Sequence, residues 1–298
     1  MEKKMRYYLT CLAAFFIACQ DSSKTIALIL PVEAPAMIDI QDGFVSELKK
    51  SHPNYKILIK KGLGDPNIMQ SILKSLDAQK VPYVATVGVS LTKAAQNLCK
   101  NAIIFGLAAY GNFANKSTYV VEDEIGPETL YKSLITIFPN MKKITLIHAQ
   151  DDKIFGEVRA LQTLMKQGGK ELQCLPIINS NDLQTVCEHI SGEAILILKD
   201  LTVVSGLDLL IKKARQLNIA LIVCDEGSVK AGANYAFGVS ECEIGKQGAD
   251  MVAAVIDGQK IPHVHTLAPT YLVSERTPEH LKEQIYKGAG QYNVRVVN

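Results

Sequence analysis

No basic excess runs through this sequence: 32 Lys and Arg stand against 30 Asp and Glu, a formal net charge of +2 over 298 residues. Neutralising a row of phosphates takes a positive patch or stripe. No long one is present, which excludes nucleic acid as partner and leaves small molecules or other proteins. Cysteine is sparse as well. Seven in this length exclude a disulfide-stapled mini-protein, and no Cys-x-x-Cys or Cys/His spacing of a metal site occurs. Catalytic signatures are also missing: there is no Gly-x-Ser-x-Gly elbow, no His-Glu-x-x-His helix and no complete dinucleotide fingerprint. No enzyme, metal ion or cofactor is expected. No repeat of 20–50 residues and no low-complexity tract interrupts the chain, and an apolar fraction of 48% excludes disorder.

The chain opens with Lys3, Lys4 and Arg6, followed by a mostly apolar run from Tyr7 to Ala18. Twelve residues at 1.5 Å each cannot span a hydrocarbon core of about 30 Å, but they suit the apolar segment of a secretory signal. Residues 1–18 are therefore expected to be a signal peptide and 19–23 a short tether. Phe16-Ile17-Ala18-Cys19 resembles a bacterial lipobox, with Phe16 where Leu is usual, so Cys19 is the expected lipidation site. A plain signal peptide cut nearby and an uncleaved anchor are the alternatives. Lys3, Lys4 and Arg6 leave with the leader against Glu2, which takes the formal charge from +2 to zero. Five cysteines remain, and one disulfide, for instance Cys174–Cys187, is open to them in an oxidising compartment.

From Lys24 onward, short apolar runs alternate with amphipathic segments. Strands are expected at 25–30, 56–60, 83–87, 102–107, 144–148, 171–178, 194–198 and 220–224. Runs apolar at consecutive positions suit strands buried on both faces of a parallel sheet. Helices are expected at 40–50, 67–78, 91–100, 127–138, 154–167, 207–217 and 243–257. This order means right-handed βαβ units, and their number, like the chain length, supports two doubly wound α/β lobes of Rossmann-like build. The expected limits are 24–117 with 239–262 for the first lobe and 118–238 with 263–298 for the second. A multi-strand hinge joining two such sheets leaves a cleft walled by strand ends and helix N-termini, where open α/β sheets bind ligands.

Several segments are specific. The stretch from Cys224 to Ala233 (Cys-Asp-Glu-Gly-Ser-Val-Lys-Ala-Gly-Ala), Ile244-Gly245-Lys246-Gln247-Gly248, Val32-Glu33-Ala34-Pro35-Ala36 with Gly43-Phe44, and Pro139-Asn140-Met141-Lys142-Lys143-Ile144 resemble one family across roughly residues 24 to 265. It is the tryptophan/tyrosine-type ABC transporter substrate-binding proteins, which have the type I periplasmic-binding-protein fold. The resemblance implies an exported, membrane-anchored or periplasmic protein. It captures a small solute, an aromatic or other amino acid, and delivers it to an ABC permease with its ATPase.

Matching positions imply ligand contacts at Glu33, Pro35, Asp200, Asp225, Glu226, Gly227 and Ser228. Asp225 suits an ammonium, and the backbone N–H groups of Gly227 or Ser228 suit an acceptor. Elsewhere the chain departs from the family, with Val89-Ser90-Leu91, Ala109-Tyr110-Gly111 and Ile154-Phe155 at positions usually polar or Pro-containing. Ser90 and the N–H groups beginning the next helix suit a carboxylate, while Tyr110 and Phe155 suit the walls of a flat ring. His148 ends a strand and is a further candidate. The segment 61–66 reads as a turn. The departures leave open a nucleoside-like heterocycle or other small metabolite as the ligand, or a sensor role on the same scaffold.

Overall fold

The computed structural model of the protein describes residues 22–111, 113, 117–290 and 292–298. The signal peptide expected at 1–18 and lipidation at Cys19 lie outside the described residues. Among the described residues no helix is long and apolar enough to cross a membrane.

The first half alternates strands β1 (Thr25–Leu30), β2 (Lys56–Lys61), β3 (Tyr83–Val87), β4 (Ile103–Leu107) and β5 (Thr118–Glu122) with helices α1 (Pro35–Ser51), α2 (Pro66–Ala78) and α3 (Val89–Leu98). The second half holds β6 (Lys143–Ala149), β7 (Glu171–Ile177), β8 (Ala194–Ile197), β9 (Ala220–Val223) and β10 (Tyr235–Gly238). Between them lie α4 (Pro127–Ile137), α5 (Asp152–Gln167), α6 (Leu183–Val186), α7 (Leu201–Val204), α8 (Leu207–Leu217) and α9 (Glu226–Ala231). The chain ends with α10 (Glu241–Ile256), β11 (Val264–Thr266), β12 (Thr270–Ser274), α11 (Glu279–Gly288) and β13 (Val294–Val297).

These strands form two sheets, ordered β11-β5-β4-β3-β1-β2 and β13-β12-β10-β9-β8-β6-β7. All pairs are parallel except β10 with β12. Every residue of β1 is buried, as a strand covered by helices on both faces requires. Alternation along β6 divides the second core: Ile144 and Leu146 pack towards α4 and α5, and Ile147 towards α8. Proline occupies the first position of α1, α2 and α4, where its missing N–H costs no helical bond.

The chain passes between the sheets three times, at Asp123–Gly126, Val239–Ser240 and Leu267–Pro269. This differs from the expected lobe limits. Thr118–Glu122 pairs with β4, and Val264–Thr266 pairs with β5, so both strands extend the first sheet although 118–238 and 263–298 assign them to the second lobe. The cause is the path of the chain: β5 completes the first sheet before it crosses, and β11 returns beside it. The disulfide left open by the sequence does not form among the described residues. All five cysteines from Cys99 onward are free thiols. Cys174 packs with the α4/α5 layer and Cys187 with the α8 layer, on opposite sides of the sheet.

Helix α10 re-enters the first lobe and packs along α1. The contact is close because glycines face backbone: a Cβ on Gly245 would overlap the Ile40 carbonyl oxygen and come within 2.7 Å of the Phe44 nitrogen. Gly43 faces the Cys242 carbonyl in the same way.

Candidate functional site

Numbered within each half, both sheets share the strand order 2-1-3-4-5. Chain connections on either side of the first strand leave in opposite directions, which opens a crevice beyond the strands' carboxyl ends. In the first sheet this switch point lies between β1 and β3, bordered by residues 31–34 and Gly88–Ser90. In the second it lies between β6 and β8, bordered by Gln150–Asp151 and Leu198–Asp200.

The expected ligand residues lie in the loops and first helical turns that follow strand carboxyl ends, not all of them at the switch points, and in differing states. Glu33 is exposed and accepts a 2.5 Å bond from Lys61, and Pro35 is the first residue of α1. Ser90 is exposed in the first turn of α3, which no side chain caps. Gly88 precedes it at φ +92°, a conformation open to glycine. That geometry sets the helix N-terminus close behind the strand. Tyr110 is half-buried after β4. Phe155 is half-buried on α5 and meets buried His148 edge to face at 5.6 Å between centroids. The His148 Nδ1 lies 2.9 Å from the Ala149 carbonyl; a carbonyl only accepts, so Nδ1 is the donor in this contact.

Asp225 caps α9. Its Oδ1 accepts from Ser228 N and its Oδ2 from Ser228 Oγ, both at 2.7 Å, so the carboxylate is held at a fixed angle, half-buried. Gly227 is half-buried and Ser228 buried beside it.

Two expected contacts are committed elsewhere. Asp200 is buried: Oδ1 accepts from Thr202 N and Val203 N, and Oδ2 from Ala149 N at 2.5 Å. Three backbone donors thus make it the peg between β6 and α7. Replacing Asp200 by Ala is expected to lower stability by about 2 kcal/mol, as a lost cap plus an orphaned buried N–H would, and to move ligand affinity less than threefold. Urea unfolding and calorimetry on one preparation check both. Glu226 is buried as well, in contact with Arg295, with Lys230 Nζ at 3.3 Å, and it accepts from Ser240 Oγ at 3.1 Å. Burial opposes its charge, but Arg295 and Lys230 outweigh that and hold its carboxyl below the usual range.

This network contains groups that the sequence did not single out. Lys230 also donates to Asp39 of α1 at 2.5 Å, an ion pair that joins the two halves. Lys199 donates to the Asp123 carbonyl at 3.0 Å and to its carboxylate, tying the first crossover to the end of β8. Burial works against the Lys199 charge, and Asp123 more than restores it, so its pKa is raised. Glu241, which opens α10, is buried with Oε2 unpartnered. The signal at Lys199 is a charge just past a buried apolar run; Glu241, three residues beyond the end of β10, carries no such signal. The buried Cys224 thiol, pushed up to about 12 by burial, stays protonated and is a packing group.

A model of the ABC transporter substrate binding protein family matches residues 25–274. An uncharacterized protein of Rickettsia prowazekii (strain Madrid E) is 30% identical over 259 residues, 86% of this chain and 83% of its own. The tyrosine-binding protein of Clostridioides difficile (strain R20291) is 24% identical over 262 residues, 80% of this chain and 74% of its own. Among solved structures, the ligand-free, open form of a Clostridium difficile substrate-binding protein with adhesive properties superposes with a TM-score of 0.75 at 21% identity, covering 92% of this chain and 99% of that one. An ABC domain from Streptococcus pneumonia in complex with L-Trp gives 0.69 at 16% identity, covering 91% and 99%. The chain belongs to the ABC transporter substrate-binding protein family and has the two-sheet α/β architecture of type I periplasmic binding proteins.

Proposed function

We propose that this protein captures an amino acid, an aromatic one in the first instance, between its two lobes and hands it to an ABC permease without making or breaking a bond. The lobes meet at the three crossovers, and the limits at residues 122/123, 239/240 and 266/270 divide the clamp. The observation that carries the reading is the pair of switch points, one on each sheet, joined by three crossovers that act as the hinge. Ligand contacts shared between two walls favour the closed arrangement by their differential affinity.

In this reading the α-carboxylate rests on the uncapped N-terminus of α3 with Ser90, and the ammonium on Asp225. Glu33, Pro35, Gly227 and Ser228 line the walls, and Tyr110 and Phe155 flank the side chain. The tyrosine-binding relative and the L-Trp complex support an amino-acid ligand. The leader and Cys19 support export and attachment by a lipid, with the permease and its ATPase as partners.

A thermal-shift screen of amino acids, nucleosides and sugars tests the reading. Stabilisation grows as RT ln(1 + [L]/Kd), about 2.7 kcal/mol at a hundred times Kd. Tyrosine, tryptophan or phenylalanine is expected to raise the midpoint at micromolar to millimolar concentration. A shift with nucleosides alone transfers the site to a heterocycle, and no shift with any class refutes capture of a small solute from these sets.

A further inference from the structure

The hinge holds a carboxyl group that this arrangement leaves without a counter-charge. Glu241 follows the Val239–Ser240 crossover and opens α10, the helix packed along α1 of the first lobe. Its side chain is buried, its Oε2 has no partner, and its Oε1 accepts from Glu226 N at 3.4 Å. The charged groups facing it are Asp225 and Glu226 from the β9–α9 turn and Lys199 from the end of β8. Behind Glu226 stand Arg295 of β13 and Lys230 of α9. Each of these cations is engaged already: Arg295 and Lys230 by Glu226, and Lys199 by Asp123. Burial is the largest cause, and with Glu226 and Asp225 it outweighs the Glu241 backbone N–H and Lys199, pushing the Glu241 carboxyl up to about 8, which favours its protonated form at neutral pH.

We propose that Glu241 is a proton-operated latch of the hinge: its neutral form permits the lobe arrangement described above, and its ionisation drives the lobes to another. A second carboxylate beside Glu226 has one cation within electrostatic reach, Lys199. Drawing Lys199 away from Asp123 frees the first crossover while the second rearranges around Glu241. One proton thereby acts on two of the three passages between the lobes. This rests on the two-lobe clamp as proposed above. Linkage fixes the sign: a conformer that lowers the Glu241 pKa by one to two units gains tenfold to a hundredfold in population as pH rises through that interval.

The test uses the full chain without ligand, followed by small-angle X-ray scattering from pH 6 to pH 9.5, with carboxyl carbon chemical shifts of ¹³C-glutamate-labelled protein read in parallel. The expected result is a Glu241 titration near pH 8, a change in scattering with the same midpoint, and loss of both in Glu241→Gln. Either wild-type readout stands alone if that variant does not fold. A Glu241 midpoint below pH 6, a scattering profile that stays constant through its titration, or the same scattering change in Glu241→Gln overturns the latch. None of these touches the clamp, whose own readout is ligand-induced compaction at one fixed pH.

Discussion

Asp225→Ala is expected to weaken amino-acid capture about a hundredfold, the roughly 3 kcal/mol lost when a charge-assisted hydrogen bond loses its charged partner. The size follows from pre-organisation. Both carboxylate oxygens are oriented by Ser228, through N and Oγ at 2.7 Å, so the ligand's ammonium need not order the side chain as it binds. The same substitution removes the cap of α9, worth about 1 kcal/mol, and a small fall in stability accompanies the loss of binding. Asp225→Ser separates the two effects. A serine hydroxyl caps nearly as well as a carboxylate but carries no charge, so the helix should hold while calorimetry still reads a loss of tenfold or more. Wild-type affinity in Asp225→Ser would reduce Asp225 to a cap.

That ambiguity runs through the whole site and marks where the sequence stops being informative. Asp, Ser and Gly at a strand end serve equally well as caps, turns and ligand contacts. Asp200 and Asp225 both follow buried strands and look alike in sequence. Only their partners distinguish them, since Asp200 has three backbone donors from two elements and Asp225 has one residue, its own helix's Ser228. Glu226 is hidden for another reason: its partner Arg295 lies 69 positions away, and no local pattern announces such a pair. Glu241 escaped because the helix was expected to start at Glu243, two residues beyond the carboxyl that sits at the crossover.

The fold was more legible, and the difference is physical. Central parallel strands must be apolar at consecutive positions, so Thr25–Leu30 and Tyr83–Val87 are delimited to the residue. The amphipathic stripe of Leu207–Leu217 is likewise unambiguous. The last 35 residues follow no such rule. Strand β12 is an antiparallel return, β13 an edge strand with half its length exposed, and β11 three residues long. Edges carry polar residues and their partner is set by the path of the chain, which also explains why β5 was assigned to the wrong side of the hinge.

Gly245→Ala should be among the most damaging single substitutions outside the binding cleft. Intrinsic propensity points the other way, because Ala is favoured over Gly in a helix interior by about 1 kcal/mol. Sterics decides. The added methyl overlaps the Ile40 carbonyl oxygen and lies 2.7 Å from Phe44 N, backbone atoms that cannot rotate aside. Helix α1 cannot yield, since Ile40, Phe44 and Leu48 are buried beneath it, and Gly43 already sits against the Cys242 carbonyl. The helices must part along their length, at a net cost of about 3 kcal/mol, which for a chain of this size lowers the unfolding midpoint by roughly 5 °C. Gly156→Ala in α5 is the control: nothing lies within 4 Å of its Cβ position, so propensity acts alone and the midpoint should hold or rise. A wild-type midpoint in Gly245→Ala would mean that α1 and α10 do not touch as described. Because Ser240 and Glu241 lead directly into α10, a displaced α10 also moves the hinge. Ligand affinity in Gly245→Ala should therefore fall below wild type even at temperatures where the variant is fully folded, whereas Gly156→Ala should bind as the wild type does.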